Sequence, residues 1–201
     1  MSWIRLIAFN EAEGKLKRLY QKVTGPNNNV DNIMMVHGLR PHTMTGHMAL
    51  YKNVLHNSNN TLPKWYLETI GVFVSLLNNC DYCVEHHFSG LKRLIDNDEK
   101  SSAIRKSLEE KTFNTVLSDA YSEGLKYAEK LTKNPSELLK ADVEKLKEKG
   151  ITDGEVLEIN QVVSYFNYAN RTVLGLGVST EGDILGLSPN NSDDENNWNH
   201  Q

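Results

Sequence analysis

Cys80 and Cys83 are the only two cysteines in the chain, and their separation is the feature with the most chemical meaning. Two thiols three residues apart at a helix start can close a disulfide with small backbone adjustment. The unpaired N–H groups and partial positive charge of a helix N-terminus favour a thiolate there. His87 follows Cys83 by four residues, so one helical turn would stack its imidazole over that thiol. An imidazole takes or returns a proton near neutral pH. Glu68 lies in the preceding apolar segment, and a tight turn at Asn78 and Asn79 would fold that segment back and deliver its carboxylate to the thiols. Reduction of a peroxide bond asks for this set. One thiolate attacks the O–O bond to give a sulfenic acid, a second thiol condenses with it, and an acid–base pair serves the departing oxygen.

Other chemistries use parts of the same set. Zinc would need two further ligands beside Cys80 and Cys83; His86 or His87 offers one, with a distant His42 or His47 as the other. A c-type haem needs histidine directly after the second cysteine, where Val84 stands. A thioredoxin-like site needs a strand–helix–strand context, and two inert buried cysteines would need nothing. The remaining residues read as structural. His86 is expected to point away from Cys83 into solvent and Glu85 to face elsewhere. His37, His42 and His47, spaced by five, do not line one helical face and are expected at the surface or at caps, with one bordering the pocket as the lesser alternative. Tyr165, Phe166 and Tyr168 read as core or subunit-interface residues, and Met34, Met35 and Met44 as core filling.

The elements that must position these groups read as helix after helix. Residues 11–23 carry Leu16, Leu19, Tyr20 and Val23 on one stripe, and Gly25 and Pro26 end it. Pro41 opens a second pattern to Leu55, and Pro63 stands before a third over 64–78. Further helices are expected over 80–95, 116–131, 136–149 and 153–174, the last opened by a Thr152/Glu155 capping box and ended by Gly175 and Gly177. The charged run 140–149 reads as a solvated helix face. No alternating run suggests a sheet, so the fold class is all-α. A faint echo relates Glu68 with Val74–Asn78 to Glu158 with Val163–Asn167, as a duplicated helical motif would.

With 201 residues the chain suits one domain over 1–187, followed by a polar tail over 188–201. Three of the four units of net negative charge belong to tail residues Asp193, Asp194 and Glu195. The tail is too polar to bury much surface, so it is expected to be disordered or ordered against a partner. The near-neutral body gives no field that would draw nucleic acid. Its longest apolar stretch, residues 70–77, is far short of the ~20 that span a bilayer. Neither a secretory signal nor a disulfide framework is visible, so a cytoplasmic location is expected.

The pattern Glu68-x11-Cys80-x2-Cys83-x3-His87, with Ser75 and Asn78 between, resembles the active-site motif of AhpD-like alkylhydroperoxidases of the carboxymuconolactone decarboxylase superfamily. The segments 163–171 and 174–178 are similar to the peroxidase-related branch of that group. The resemblance implies an AhpD-like helical bundle assembling as a homo-oligomer. It implies Cys83 as the peroxide-attacking cysteine, Cys80 as its resolving partner, and Glu68 with His87 as the proton relay, with Ser75, Asn78 and Tyr82 in support. Tyr82 stands where the family pattern has a histidine, and tyrosine is a far weaker base. The activity implied is a thiol peroxidase that uses a Cys80–Cys83 disulfide and no metal, flavin or nucleotide. Its substrate would be a small organic hydroperoxide or hydrogen peroxide, and a lipoyl- or thioredoxin-type dithiol carrier would regenerate it. A thiol–disulfide oxidoreductase and a non-catalytic zinc-binding or redox-sensing module are the rival readings.

Overall fold

The computed structural model describes residues 2–189 and 197–200, and within them every regular element is helical. In chain order the α-helices are α1 (Gly14–Val23), α2 (Asn32–Met35), α3 (Pro41–Leu55), α4 (Lys64–Leu77), α5 (Asp81–Ile95), α6 (Asp98–Glu110), α7 (Asp119–Lys133), α8 (Lys140–Glu148) and α9 (Asp153–Leu176). The fold is all-α, as the pattern predicts.

Helix α4 decides the architecture. It is apolar around most of its circumference, and such a helix must be enclosed by others. Its residues from Tyr66 to Ser75 are buried, and α5, α7 and α9 pack directly on it. Helix α3 leans on α9 and α1, α6 on α5, and α8 on α7. The α4–α5 connection is the tight turn expected at Asn78 and Asn79. Asn79 takes a left-handed φ of 55°, and Cys80 N–H donates to the Ser75 carbonyl at 2.9 Å. This turn forces α5 back along α4.

Local boundaries follow their caps. Thr152 and Glu155 form the capping box that opens α9, and Gly177 closes that helix at φ 61°. The 3₁₀ turn Pro135–Glu137 delays α8 to Lys140. Helix α6 was not expected. Its apolar stripe is only Ile104 and Leu108, and its other buried positions are Ser101 and Ser107, which a hydrophobic pattern reads as solvent-facing. Asn97 caps it by accepting from Lys100 N–H at 2.8 Å.

The C-terminal tail differs from expectation where it is described. Trp198 and His200 are buried, Pro189 and His200 pair as an isolated bridge, and Lys52 Nζ donates to the Asn197 carbonyl at 2.8 Å. One indole docked on the core offers enough apolar surface to hold a short polar segment, which average composition does not register. Residues 190–196 and 201 lie outside the described residues.

Helices α4 and α9 approach closely at Gly71, where an added Cβ would enter the ring of fully buried Phe166. Gly71→Ala gains up to about 1 kcal/mol in helix propensity, but overpacking costs about 1–3 kcal/mol. The variant is expected to be destabilised, read as a lower urea midpoint at unchanged m-value.

Candidate active site

Cys80 occupies the N-cap position of α5 and Cys83 its first turn. Both are reduced and buried, in a small apolar cluster with Val36, Tyr82, Val173 and Val178. Their acidities diverge. A hydrogen bond from the Cys83 thiol holds Cys80 below the usual thiol range against its burial. Burial pushes Cys83 well up, donation to Cys80 adds to this, and a hydrogen bond with Asn170 opposes it. Cys83 nevertheless lines the adjoining cavity, whereas Cys80 is fully enclosed beneath it. The reachable sulfur is therefore Cys83.

Glu68 and His87 meet across the α4–α5 turn. His87 Nδ1 lies 2.7 Å from Glu68 Oε2, with the carboxylate buried in α4 and the imidazole on α5. The fixed Nδ1 partner sets the ring orientation, and the Phe166 ring packs edge-on with its centroid 4.5 Å from that of the imidazole. Glu68, His87 and Cys83 all line one cavity of about 50 Å³. That is space for a few water-sized groups. Tyr51 and Tyr165 form another part of its wall, stacked with centroids 5.3 Å apart.

Ser75 and Asn78 both bond Asn170 of α9, a residue whose partners in the site no local pattern names. Asn170 Nδ2 donates to Ser75 Oγ at 3.1 Å, and Asn170 Oδ1 accepts from Asn78 Nδ2 at 2.9 Å. Asn170 is thereby fixed while it also bonds Cys83. The available signal was a polar residue on the apolar face of α9 that carries Phe166, Ala169 and Val173.

Three expectations need correction. His86 does not face solvent: it is buried, and its Nε2 lies 3.2 Å from Asp183 Oδ2. Tyr82 donates to the same oxygen at 2.7 Å and accepts from Ile33 N–H at 3.2 Å. His37 and His47 are buried rather than superficial, and His47 lines the cavity with His200. Five-residue spacing concealed this because His37 precedes α3, while His47 sits on its inner face. His42 is exposed, and Glu85 faces outward to Arg105 at 3.3 Å. Tyr165 and Phe166 are core residues as expected, whereas Tyr168 is partly exposed. No three His, Cys, Asp or Glu side chains among the described residues converge in an arrangement that would hold a metal ion.

No family model matches the chain, and no curated protein matches it either. Solved structures do. The alkylhydroperoxidase AhpD core, an uncharacterized peroxidase-related protein from Ralstonia eutropha JMP134, superposes with a TM-score of 0.78 at 21% identity, covering 92% of this chain and 96% of that one. The chain has the AhpD-like fold. An uncharacterized peroxidase-related protein from Silicibacter sp. TM1040 matches at TM-score 0.69 and 23% identity, over 80% of this chain and 82% of that one. The debrominase Bmp8 in complex with 2,3,4-tribromopyrrole matches at TM-score 0.69 and 18% identity, over 89% and 93%. These neighbours range from uncharacterized peroxidase-related proteins to a debrominase, so what the chain shares with them is the fold. No helix among the described residues is long and apolar enough to cross a membrane.

The buried imidazoles set the acid response of this AhpD-like bundle. Burial lowers His47 to about 3 and His200 to about 4. Between the ordinary histidine value and these, the unfolded chain binds more protons than the folded one. Stability is therefore full above about pH 6.5 and falls with pH, by about 1.4 kcal/mol per pH unit for each group. His47→Gln is expected to flatten this slope in denaturant titrations between about pH 6 and pH 4.

Proposed function

We propose that this protein is a thiol-dependent peroxidase acting on small hydroperoxides through Cys83 and Cys80. The observation that carries the reading is the convergence on one small cavity of Cys83 and the Glu68–His87 pair, with Cys80 bonded to Cys83 beneath it. Burial and donation to Cys80 hold the Cys83 thiol well above its ordinary range, so attack requires its proton to move. The His87 imidazole, one turn along α5 and backed by the Glu68 carboxylate, serves that transfer. The Cys83 thiolate attacks the terminal oxygen of the hydroperoxide, an S–O bond forms, and the O–O bond breaks. The Cys83 sulfenic acid then condenses with the Cys80 thiol to give the Cys80–Cys83 disulfide and water. An external dithiol carrier of lipoyl or thioredoxin type returns both thiols by exchange. A homo-oligomer in the cytoplasm, with neither metal nor organic cofactor, completes the reading.

A second reading has support in the debrominase neighbour and in the stacked tyrosines of the cavity wall. There the same dithiol supplies its two electrons to a halogenated aromatic ring, releasing halide and the ring carrying hydrogen in its place.

A free-thiol count on reduced protein before and after one equivalent of cumene hydroperoxide tests the first reading. Both thiols are expected to disappear within seconds. Cys83→Ser abolishes the reaction, and Cys80→Ser leaves a sulfenic acid that a dimedone label traps. His87→Ala is expected to slow the first step by about 10²–10⁴-fold. Two surviving thiols in the native protein would sink the peroxidase reading, and consumption of both by a bromopyrrole instead would favour the second.

A further inference from the structure

Asp31 stands at the N-cap of α2, where an aspartate ordinarily accepts from the first helical N–H groups, yet it makes no side-chain cap hydrogen bond. Asp183, far along the chain, does that work. Its two carboxylate oxygens accept from Asn32 N–H at 3.0 and 3.1 Å. Asp183 is further engaged by Tyr82 and His86, at 2.7 and 3.2 Å. Asn32 also ties the C-terminal segment down, donating from Nδ2 to the Ser179 and Glu181 carbonyls at 2.8 and 2.9 Å. One carboxylate is thus saturated with donors. The other, Asp31, is left with no N–H or O–H donating to it among the described residues, and it lines the cavity that Cys83 lines.

Resting on the peroxidase reading above, we propose that Asp31 is a catalytic acid of this site, giving its proton to the oxygen that departs when Cys83 attacks a hydroperoxide. The Cys83 thiolate donates an electron pair to the terminal oxygen, the S–O bond forms and the O–O bond breaks. The alkoxide takes the Asp31 proton and leaves as alcohol, with Asp31 left as carboxylate. Sulfur is oxidised by two electrons and the peroxide is reduced by two. Condensation of the sulfenic acid with Cys80 releases water and leaves the Cys80–Cys83 disulfide, which the external dithiol carrier reduces, while the proton taken from Cys83 returns through the cavity to Asp31. Glu68 and His87 reach the cavity from α4 and α5, whereas Asp31 reaches it from the turn before α2. Removal of the thiol proton and delivery of a proton to the leaving oxygen are therefore served from different elements. Tyr82 cannot take the second role, because its O–H is committed to Asp183.

The surroundings favour a protonated Asp31. Burial raises it to about 7, with His86 pulling it down and the Asp183 carboxylate pushing it up. The charged and titratable groups that face it are Tyr82 and His86 from α5, Asp183 from the C-terminal segment, and Tyr51 from α3. Farther along the same wall stand Glu68 and His87, which are bonded to each other, and the neutral His47 and His200.

Leaving-group chemistry tests this. An alkoxide needs a proton to depart, whereas the carboxylate leaving from a peracid does not. Native and Asp31→Asn protein, both full-length and reduced, are mixed with cumene hydroperoxide and with peracetic acid at about pH 6, and the rate of Cys83 oxidation is followed. Asp31→Asn is expected to be about 10²-fold slower with cumene hydroperoxide, the lower end for a lost general acid, and within about threefold of native with peracetic acid. In the native protein the cumene hydroperoxide rate is expected to fall as pH rises past about 7, where Asp31 ionises, and Asp31→Asn loses that descending limb. Because Asp31 is held above its ordinary range, its replacement removes a cost that grows between about pH 4 and pH 7. Asp31→Asn is therefore expected to unfold no earlier than native protein at neutral pH, which guards against misfolding. Asp31→Glu, which keeps an acid, is expected to retain more of the cumene hydroperoxide rate than the amide.

Equal losses with both oxidants, or no loss with either, would overturn the role of Asp31 while leaving the peroxidase reading in place. Native protein inert to both oxidants would overturn the two together.

Discussion

The structure depends on one buried contact, between the Glu68 carboxylate and the His87 imidazole. Glu68 lies inside α4, the helix that α5, α7 and α9 enclose. A carboxylate taken out of water without a partner costs several kcal/mol, so a central helix carrying one is tolerable only if a donor meets it there. The α4–α5 turn makes that meeting possible. The left-handed Asn79 reverses the chain in two residues, so the turn that brings His87 to Glu68 also sets Cys80 at the mouth of α5 and Cys83 one turn in. Core, turn and reactive pair therefore stand or fall together. Phe166 on α9 packs against the imidazole and also meets Gly71, so the close approach of α4 to α9 also confines the His87 ring.

A second constraint runs through the C-terminal segment. Asp183 holds α2, Tyr82 and His86 at once, and Gly186, Leu187 and Ser188 complete the cavity wall beyond it. The cavity is thus formed between helices of the bundle on one side and irregular chain on the other. The reactive thiol sits on a rigid element, while the wall opposite is built from turns. The cysteines lie in a small apolar cluster with Val173 and Val178, which shields the dithiol on the side away from the cavity.

How far the site was legible follows from distance along the chain. Cys80, Cys83 and His87 lie within one helix, where spacing alone sets the relative placement of side chains. Glu68 required only the assumption of a tight turn. Asn170 was harder, since its partners come from α4 and α5 and nothing local to α9 names them. Asp31, Asp183 and His200 gave no local signal, and His86 gave a misleading one, because helical phase placed it away from Cys83 without revealing that another segment covers that face. Helix α6 was passed over for a related reason: two of its buried positions are serines, which are buried only because neighbours cover them.

By itself the sequence determined the all-helical class, most of the helix boundaries with their caps and breaks, and the pair of cysteines with His87 one turn away. These are properties of periodicity and of spacing within about twenty residues, and local backbone geometry converts both directly into space. The tertiary structure alone decided that Asp183 caps α2 and leaves Asp31 facing the cavity, that Asn170 bonds Cys83, that His47 and His200 are buried, and that Trp198 packs into the core. Each of these joins elements far apart in the chain, through contacts whose energy arises only when packing has excluded water, and no local pattern of residues encodes which partner will be there.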